Sequence, residues 1–424
     1  VASIGGPQGG NVISGSHVVS GAFTVEAWRT LVQPSIREAA TSALDSTDWV
    51  LRTAIRDDLT LEGSPEQIQK TLIDLYKREY ADEWRRFVQG IDVAGFDDFG
   101  SALNAMNHLG NVQQSPIGKI LRTVFEQTSW DNPARRNAAA NAAGRGFVEW
   151  FKRAVLRISP SNAQVDLDLG SEGGTEALGV LGREFAGIAR LMAEREDGAS
   201  LAHAYLQQLA LVRTRLNELN HQGDPGPGAV KLMQDTLEGR NSELSDALRF
   251  VEEQMLAALP DDQRATLRPL LLRPLQQSFA AALLPAQREL NKTWLAQVYE
   301  PFSRQLGVKY PFATEAGIEA TPGEIAQIFG PEGAIARFVD TSMGALVVRR
   351  GDTISARTWG DLGLTLEVDF MAGFSHWVRA LDGAAAGGAG DGGPQTAFML
   401  MPHPAAGTTE YVIEIDGQQL RYRN

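Results

Sequence analysis

The 424-residue sequence contains no cysteine. That excludes disulfides, thiolate nucleophiles and cysteine-ligated zinc or iron–sulfur centres together. Nor does it contain a run approaching about 18 uninterrupted apolar residues, the length a membrane-spanning helix requires. Positive charge is in deficit. Against 52 Asp and Glu stand 39 Lys and Arg, a formal net charge of −13 that repels phosphate backbones and anionic lipid and argues against nucleic acid as a partner. The start, Val1-Ala2-Ser3-Ile4, has no initiator Met and no basic stretch before an apolar run, so the chain is expected to be an excised piece of a longer protein. What is present is ordinary for a soluble folded protein: 43% hydrophobic and 21% charged residues, in a length that suits two or three domains.

Residues 1–20 are rich in Gly, Ser and Asn and read as a flexible leader, with regular structure expected from about Gly21. From Thr24 to about Leu284 apolar residues recur at three- and four-residue spacing, and the breaks carry helix-start chemistry rather than hairpin turns. Ser64-Pro65-Glu66-Gln67 sets an N-cap hydroxyl before a first-turn Pro, and Ile68, Leu72, Leu75, Tyr76, Tyr80, Trp84, Phe87 and Val88 then form one stripe. Similar starts stand at Ser115-Pro116, Asn132-Pro133 and Thr321-Pro322-Gly323-Glu324, the last a full capping box. Polar stretches at 159–175 and 221–228 read as connectors. Helical periodicity continues through Leu232, Leu244, Val251 and Met255, then Leu267, Leu271, Leu275 and Phe279.

The pattern changes after Gly344. Ala345-Leu346-Val347-Val348-Arg349-Arg350, the turn pair Gly351-Asp352 and residues 353–357 predict a hairpin. A helix is expected over 367–381, a Gly/Ala loop over 383–393, and strands over 396–401, 411–415 and 419–423, with Asp416-Gly417 turning the last two. The expected fold is mainly α: an elongated multi-helix part, divided into 21–158 and 176–343, followed by a smaller β-rich, sandwich-like subdomain over 344–424.

No motif carries convincing chemistry. Gly388, Gly390 and Gly393 match G-x-G-x-x-G, but Pro394 and a strand follow where a phosphate-cradling helix would have to begin. The six histidines, at 17, 108, 203, 221, 376 and 403, include no pair spaced to share one helix face around a metal. The acidic doublets Asp57-Asp58, Asp97-Asp98, Glu252-Glu253 and Asp261-Asp262 suit helix starts and solvated faces, since adjacent residues diverge on a helix. A segment over 138–158 sets Arg145, Lys152, Arg153 and Arg157 opposite Phe147, Trp150 and Phe151, which reads as a core stripe with a solvated basic side. No catalytic residue, metal ligand or cofactor site is expected.

Several stretches nevertheless have a familiar order. Gly21-Ala22-Phe23-Thr24-Val25-Glu26-Ala27-Trp28, Asp48-Trp49-Val50-Leu51 and Leu75-Tyr76-Lys77-Arg78-Glu79-Tyr80-Ala81-Asp82-Glu83-Trp84 come first. Ser115-Pro116, Trp294, Val298, Tyr310-Pro311-Phe312, Phe329-Gly330-Pro331-Glu332-Gly333 and Ile415-Asp416-Gly417-Gln418-Gln419-Leu420-Arg421-Tyr422 follow. Taken together they resemble the periplasmic region of the IcmF/TssM family of type VI secretion. The resemblance implies a non-enzymatic periplasmic scaffold of the membrane complex, linking the inner membrane to the outer-membrane lipoprotein TssJ, with TssL and other copies of itself as further partners. It also implies that membrane helices and a cytoplasmic nucleotide-binding domain precede this stretch and that further strands follow Asn424. Within the chain the terminal strands, with Tyr411, Arg421 and Tyr422, are the expected partner contacts. The competing expectations are a peptidoglycan hydrolase of the envelope and a cytosolic helical adaptor.

Overall fold

Residues 12–45, 65–132, 179–195, 198–350, 353–379, 407, 409–415 and 418–423 are described by a computed structural model. They are mainly helical, and every sheet among them has two strands, with most strands lying after Val347. The chain divides into two units, residues 1–290 with 356–365, and residues 291–355 with 366–424.

In the first unit, strand β1 (Ile13–Gly15) pairs antiparallel with β2 (Ile91–Val93), setting Ile13 opposite Val93. This corrects the leader expectation for its last part. Val12 and Ile13 are buried, and Ile13 gains its cover from the equally buried Val93 across the ladder. Helix α1 (Gln33–Asp45) continues a π-helical turn, Trp28–Val32, and packs on α2 (Pro65–Gln89). As the Pro signal requires, α2 begins at Pro65. Its buried face, Tyr80, Ala81, Trp84, Phe87 and Val88, continues the expected stripe, but Leu75 is half exposed. Residues four apart advance about 40° per step around a helix, so the line through Tyr76, Tyr80, Trp84 and Val88 winds away from Leu75.

Helix α3 (Phe99–Leu109) starts from Asp98, whose Oδ1 accepts the Ser101 N–H at 2.7 Å while Ser101 Oγ accepts the Asp98 N–H at 2.9 Å. The doublet Asp97-Asp98 is thus a helix start, and these bonds hold the Asp98 carboxyl below its ordinary pKa. Helix α4 (Pro116–Thr128) begins after Ser115, although the Ser115 hydroxyl makes no cap bond. Helices α5 (Val180–Glu184) and α6 (Ala186–Met192) lead to α7 (Leu201–His221), which packs on α3, α4, α6 and α9 (Glu243–Arg249). Between α7 and α9 lies α8 (Gly226–Glu238), so the connector expected over 221–228 is shorter than its composition suggests. Most of α10 (Asp261–Trp294) also belongs here. Fully buried Tyr205 donates its hydroxyl to the Leu271 carbonyl at 2.8 Å, tying α7 to α10. The small hairpin β5 (Thr358–Trp359) and β6 (Leu362–Gly363) sets Trp359 against Phe279, ring centroids 5.1 Å apart.

The second unit takes the last turn of α10, the π-helical turn Leu295–Tyr299 and α11 (Glu300–Gln305). Then come α12 (Pro322–Ile328), α13 (Ala334–Arg337) and the π-helical turn Phe338–Met343. Thr321 and Glu324 form the capping box that the sequence prescribes. Hairpin β3 (Val347–Arg350) and β4 (Thr353–Ala356) and helix α14 (Val368–Arg379) lie where composition placed them. Trp294 meets Phe338 and Phe370 edge-on at 5.1 and 5.6 Å, forming an aromatic centre beside buried Phe374 and Val378. Strands β7 (Glu410–Ile415) and β8 (Gln418–Arg423) form the last hairpin. The expectations for Asp48-Trp49-Val50-Leu51, Asp57-Asp58, a helix from Pro133, the basic segment 138–158, a connector over 159–175, the turn pairs 351–352 and 416–417, the glycine tract, a strand over 396–401 and His403 lie outside the described residues.

Candidate interaction surfaces

The aromatic residues of the N-terminal motifs converge inside the first unit. Phe23 stacks on Tyr76 at 5.6 Å, Trp28 stacks on Tyr76 and on Trp130, and Tyr80 lies between Phe23, Trp84 and Trp130. Three polar tips find backbone carbonyls, while the buried Trp130 Nε1 has no partner among the described residues. Tyr76 Oη donates to the Ala22 carbonyl and Tyr80 Oη to the Gln127 carbonyl, both at 2.7 Å, and Trp84 Nε1 donates to the Phe23 carbonyl at 2.9 Å. Desolvation raises the Tyr76 phenol to about 12 and pushes Tyr80 higher still. These phenols stay protonated at neutral pH and serve as hydrogen-bond donors in a core.

A second buried feature was not legible in the sequence. Asp131 has a fully buried side chain that accepts the N–H groups of Leu181 and Gly182 at 3.1 Å each, with Lys77 Nζ 3.3 Å from Oδ2. One carboxylate thereby joins α2, the end of α4 and the start of α5. Gly179 is required beside it, because a Cβ there would fall 2.1 Å from Asp131 Oδ2. An isolated Asp in a loop carries no local signal of such a role; only the return of residues 179–182 to the same place reveals it.

Along α2, α6 and α10 runs a cleft of about 70 Å³, bordered by Arg85, Glu184, Gln263 and Thr266 above an apolar floor. Its polar groups are engaged with one another. Arg85 Nε donates to Glu184 at 2.6 Å, and Gln263 both accepts from the Gly187 N–H and donates to the Arg183 carbonyl. Of the histidines, His17 pairs with Glu83 at 2.9 Å, His203 with Gln207 and His221 with the Asn217 carbonyl. No cluster of three metal-ligating side chains occurs among the described residues.

The expected contact residues lie on the terminal hairpin but not together. Direct pairing of Tyr411 with Tyr422 and of Ile413 with Leu420 gives that hairpin one apolar face. Ring centroids of the two tyrosines are 6.4 Å apart, and Ile413, Leu420 and Tyr422 are exposed. Arg421, opposite Val412, is on the other face, 3.3 Å from Glu410. The expected contact set of Tyr411, Arg421 and Tyr422 on the terminal strands therefore spans both faces of one ribbon.

The second unit has another exposed apolar element in residues 307–320. Here the Tyr310 N–H donates to the Ile318 carbonyl at 2.9 Å and the Ala320 N–H to the Tyr310 carbonyl at 2.8 Å, closing the loop on itself. Lys309 Nζ reaches Glu324 Oε1 at 2.6 Å. That bond, with the Thr321 N–H, depresses the Glu324 carboxyl to about 2.

Two family models match this chain, the IcmF-related model described as "Intracellular multiplication and human macrophage-killing" over residues 1–129, and the type VI secretion protein IcmF helical domain over residues 285–387. The chain belongs to the IcmF/TssM family. Its fold is shared with solved chains of two assemblies. A chain titled "Type VI secretion system membrane core complex" matches with TM-score 0.70 and 20% identity, over 100% of this chain and 73% of that one. A second, titled "Type VI membrane complex", matches with TM-score 0.58 and 20% identity, over 86% of this chain and 62% of that one. No curated protein matches. Among the described residues of this IcmF chain, no helix is long and apolar enough to cross a membrane.

Proposed function

We propose that this IcmF chain is a structural component of the type VI secretion membrane complex, acting through protein–protein contact. In this reading it is a periplasmic strut between the inner membrane and the outer-membrane lipoprotein TssJ, with TssL and other copies of itself as further partners. It uses no catalytic residue, metal or cofactor. Membership of the IcmF family, with models matching both ends of the helical region, carries the proposal. Two features support it. The aromatic residues of the N-terminal motifs are spent on a core, and the terminal hairpin carries exposed apolar groups, with outer backbone groups and an apolar face that suit a β-rich partner.

The partner-contact assignment becomes Tyr411 and Tyr422, with Arg421 a bystander on the opposite face. Biolayer interferometry of the chain against purified TssJ tests it. Tyr411→Ala with Tyr422→Ala is expected to weaken binding at least about tenfold, and Arg421→Ala less than about threefold, since an exposed ion pair contributes little. Absence of binding at micromolar concentration would remove the lipoprotein assignment. Turnover of cell-wall fragments by the chain would remove the non-enzymatic one.

A further inference from the structure

The loop 307–320 carries features of a prepared binding element. It is a closed surface loop whose backbone is fixed by its own hydrogen bonds, and its base is tied to α12 through Lys309 and Glu324. Phe312 is anchored from below, stacked on Phe329 at 5.6 Å and edge-on to Phe302 at 5.3 Å. Around this fixed base the loop turns apolar groups outward: Ile318 is 67% exposed, Val308 63%, Tyr310 49% and Phe312 37%. Solvated loops of this size usually place such residues inward; a rigid loop that exposes four has already lost the conformational freedom that docking would otherwise cost. Two carboxylates, Glu315 and Glu319, are on the same loop, and neither is paired with a cation among the described residues. The single cation within it, Lys309, is consumed by Glu324.

We propose that this loop docks a cationic amphipathic segment of another protein of the complex, its apolar side chains covering Val308, Tyr310, Phe312 and Ile318 and its Lys or Arg residues meeting Glu315 and Glu319. The charge arrangement selects that occupant. An anionic lipid surface would be repelled by Glu315 and Glu319, and a second copy of this loop would set like charges against each other. The assignment rests on the reading that the chain works inside an assembly.

Photo-crosslinking from p-benzoylphenylalanine at position 310 or 318 tests it, in the full-length protein expressed with its secretion components. An adduct with a different protein, through a peptide of net positive charge, is expected. Charge reversal by Glu315→Lys with Glu319→Lys should lower its yield about tenfold while leaving the melting temperature unchanged, since both side chains are exposed. No adduct, an adduct with a second copy or with lipid, or a yield indifferent to the charge reversal overturns the proposal. Co-purification of other components with the unmodified chain separates the two levels. If they do not co-purify, the assembly reading fails and this one with it; if they do while the loop crosslinks to nothing, the loop assignment alone fails.

Discussion

The aromatic cluster of the first unit and the loop 307–320 of the second use aromatic residues in opposite ways. In the first, Phe23, Trp28, Tyr76, Tyr80, Trp84 and Trp130 close around one another, and Tyr76, Tyr80 and Trp84 each donate to a backbone carbonyl. In the second, Phe312 is fastened to Phe302 and Phe329 while its neighbours Tyr310 and Ile318 face water. The stretches that resemble the family run through both, and they place Tyr76, Tyr80 and Trp84 in a core but leave Tyr310 and Phe312 partly exposed. The first arrangement stabilises a fold; the second leaves apolar surface exposed to solvent.

Removing core members should separate the two regions most sharply. Trp84→Ala is expected to cost about 3–5 kcal/mol, from lost burial and the cavity left behind. Asp131→Ala should cost a similar amount, about 3–5 kcal/mol, because it strands Lys77 and two backbone N–H groups without their acceptor. Urea unfolding of both variants checks these values. A cost under about 1 kcal/mol would show that the motif aromatics and the Asp131 tie are not central to the first unit.

Tyr80→Phe is a finer cut. It keeps the ring and deletes only the donor to the Gln127 carbonyl, so a loss near 1 kcal/mol is expected by the same measurement.

For the loop base the expected signature is a pH dependence. The Glu324 carboxyl lies at about 2 in the folded chain against an ordinary 4.5, so its stabilising contribution is complete above pH 4.5 and is lost as pH falls toward 2. Glu324→Gln should remove that part of the acid-induced loss, and denaturation curves of the two proteins between pH 5 and 2 would superpose if Lys309 and Thr321 were not the cause.

Smallest of all should be Tyr310→Ser and Ile318→Ser, each within about 0.5 kcal/mol of the unmodified stability, because exposed side chains change little on unfolding. A larger loss would mean that these residues hold the loop together rather than present it.

Local chemistry made much of this fold readable. Pro65 and Pro116 mark helix starts, Thr321 with Glu324 marks another, and the strands expected on either side of 351–352 and of 416–417 pair with each other. What escaped depends on distant partners. Ile13 looks like part of a leader until Val93 supplies its pair, Leu75 fits a stripe until the helix winds past it, and Asp131 acquires its role only from residues fifty positions later. The candidate contacts were half legible. Alternation along the terminal strands separates Arg421 from the two tyrosines, but the exposed loop could not be distinguished from core by composition, since Tyr310 and Phe312 are as apolar as the residues buried around Tyr80.

The central claim is that this chain works by presenting surface, not by performing chemistry. The most direct measurement is the yield of assembled membrane complex isolated on the full-length protein after Tyr310, Ile318, Tyr411 and Tyr422 are all changed to serine, with the melting temperature of the same chain recorded alongside. The account predicts an unchanged melting temperature and at least about a tenfold loss of co-isolated components. Full assembly with all four aromatic and aliphatic contacts gone would contradict it.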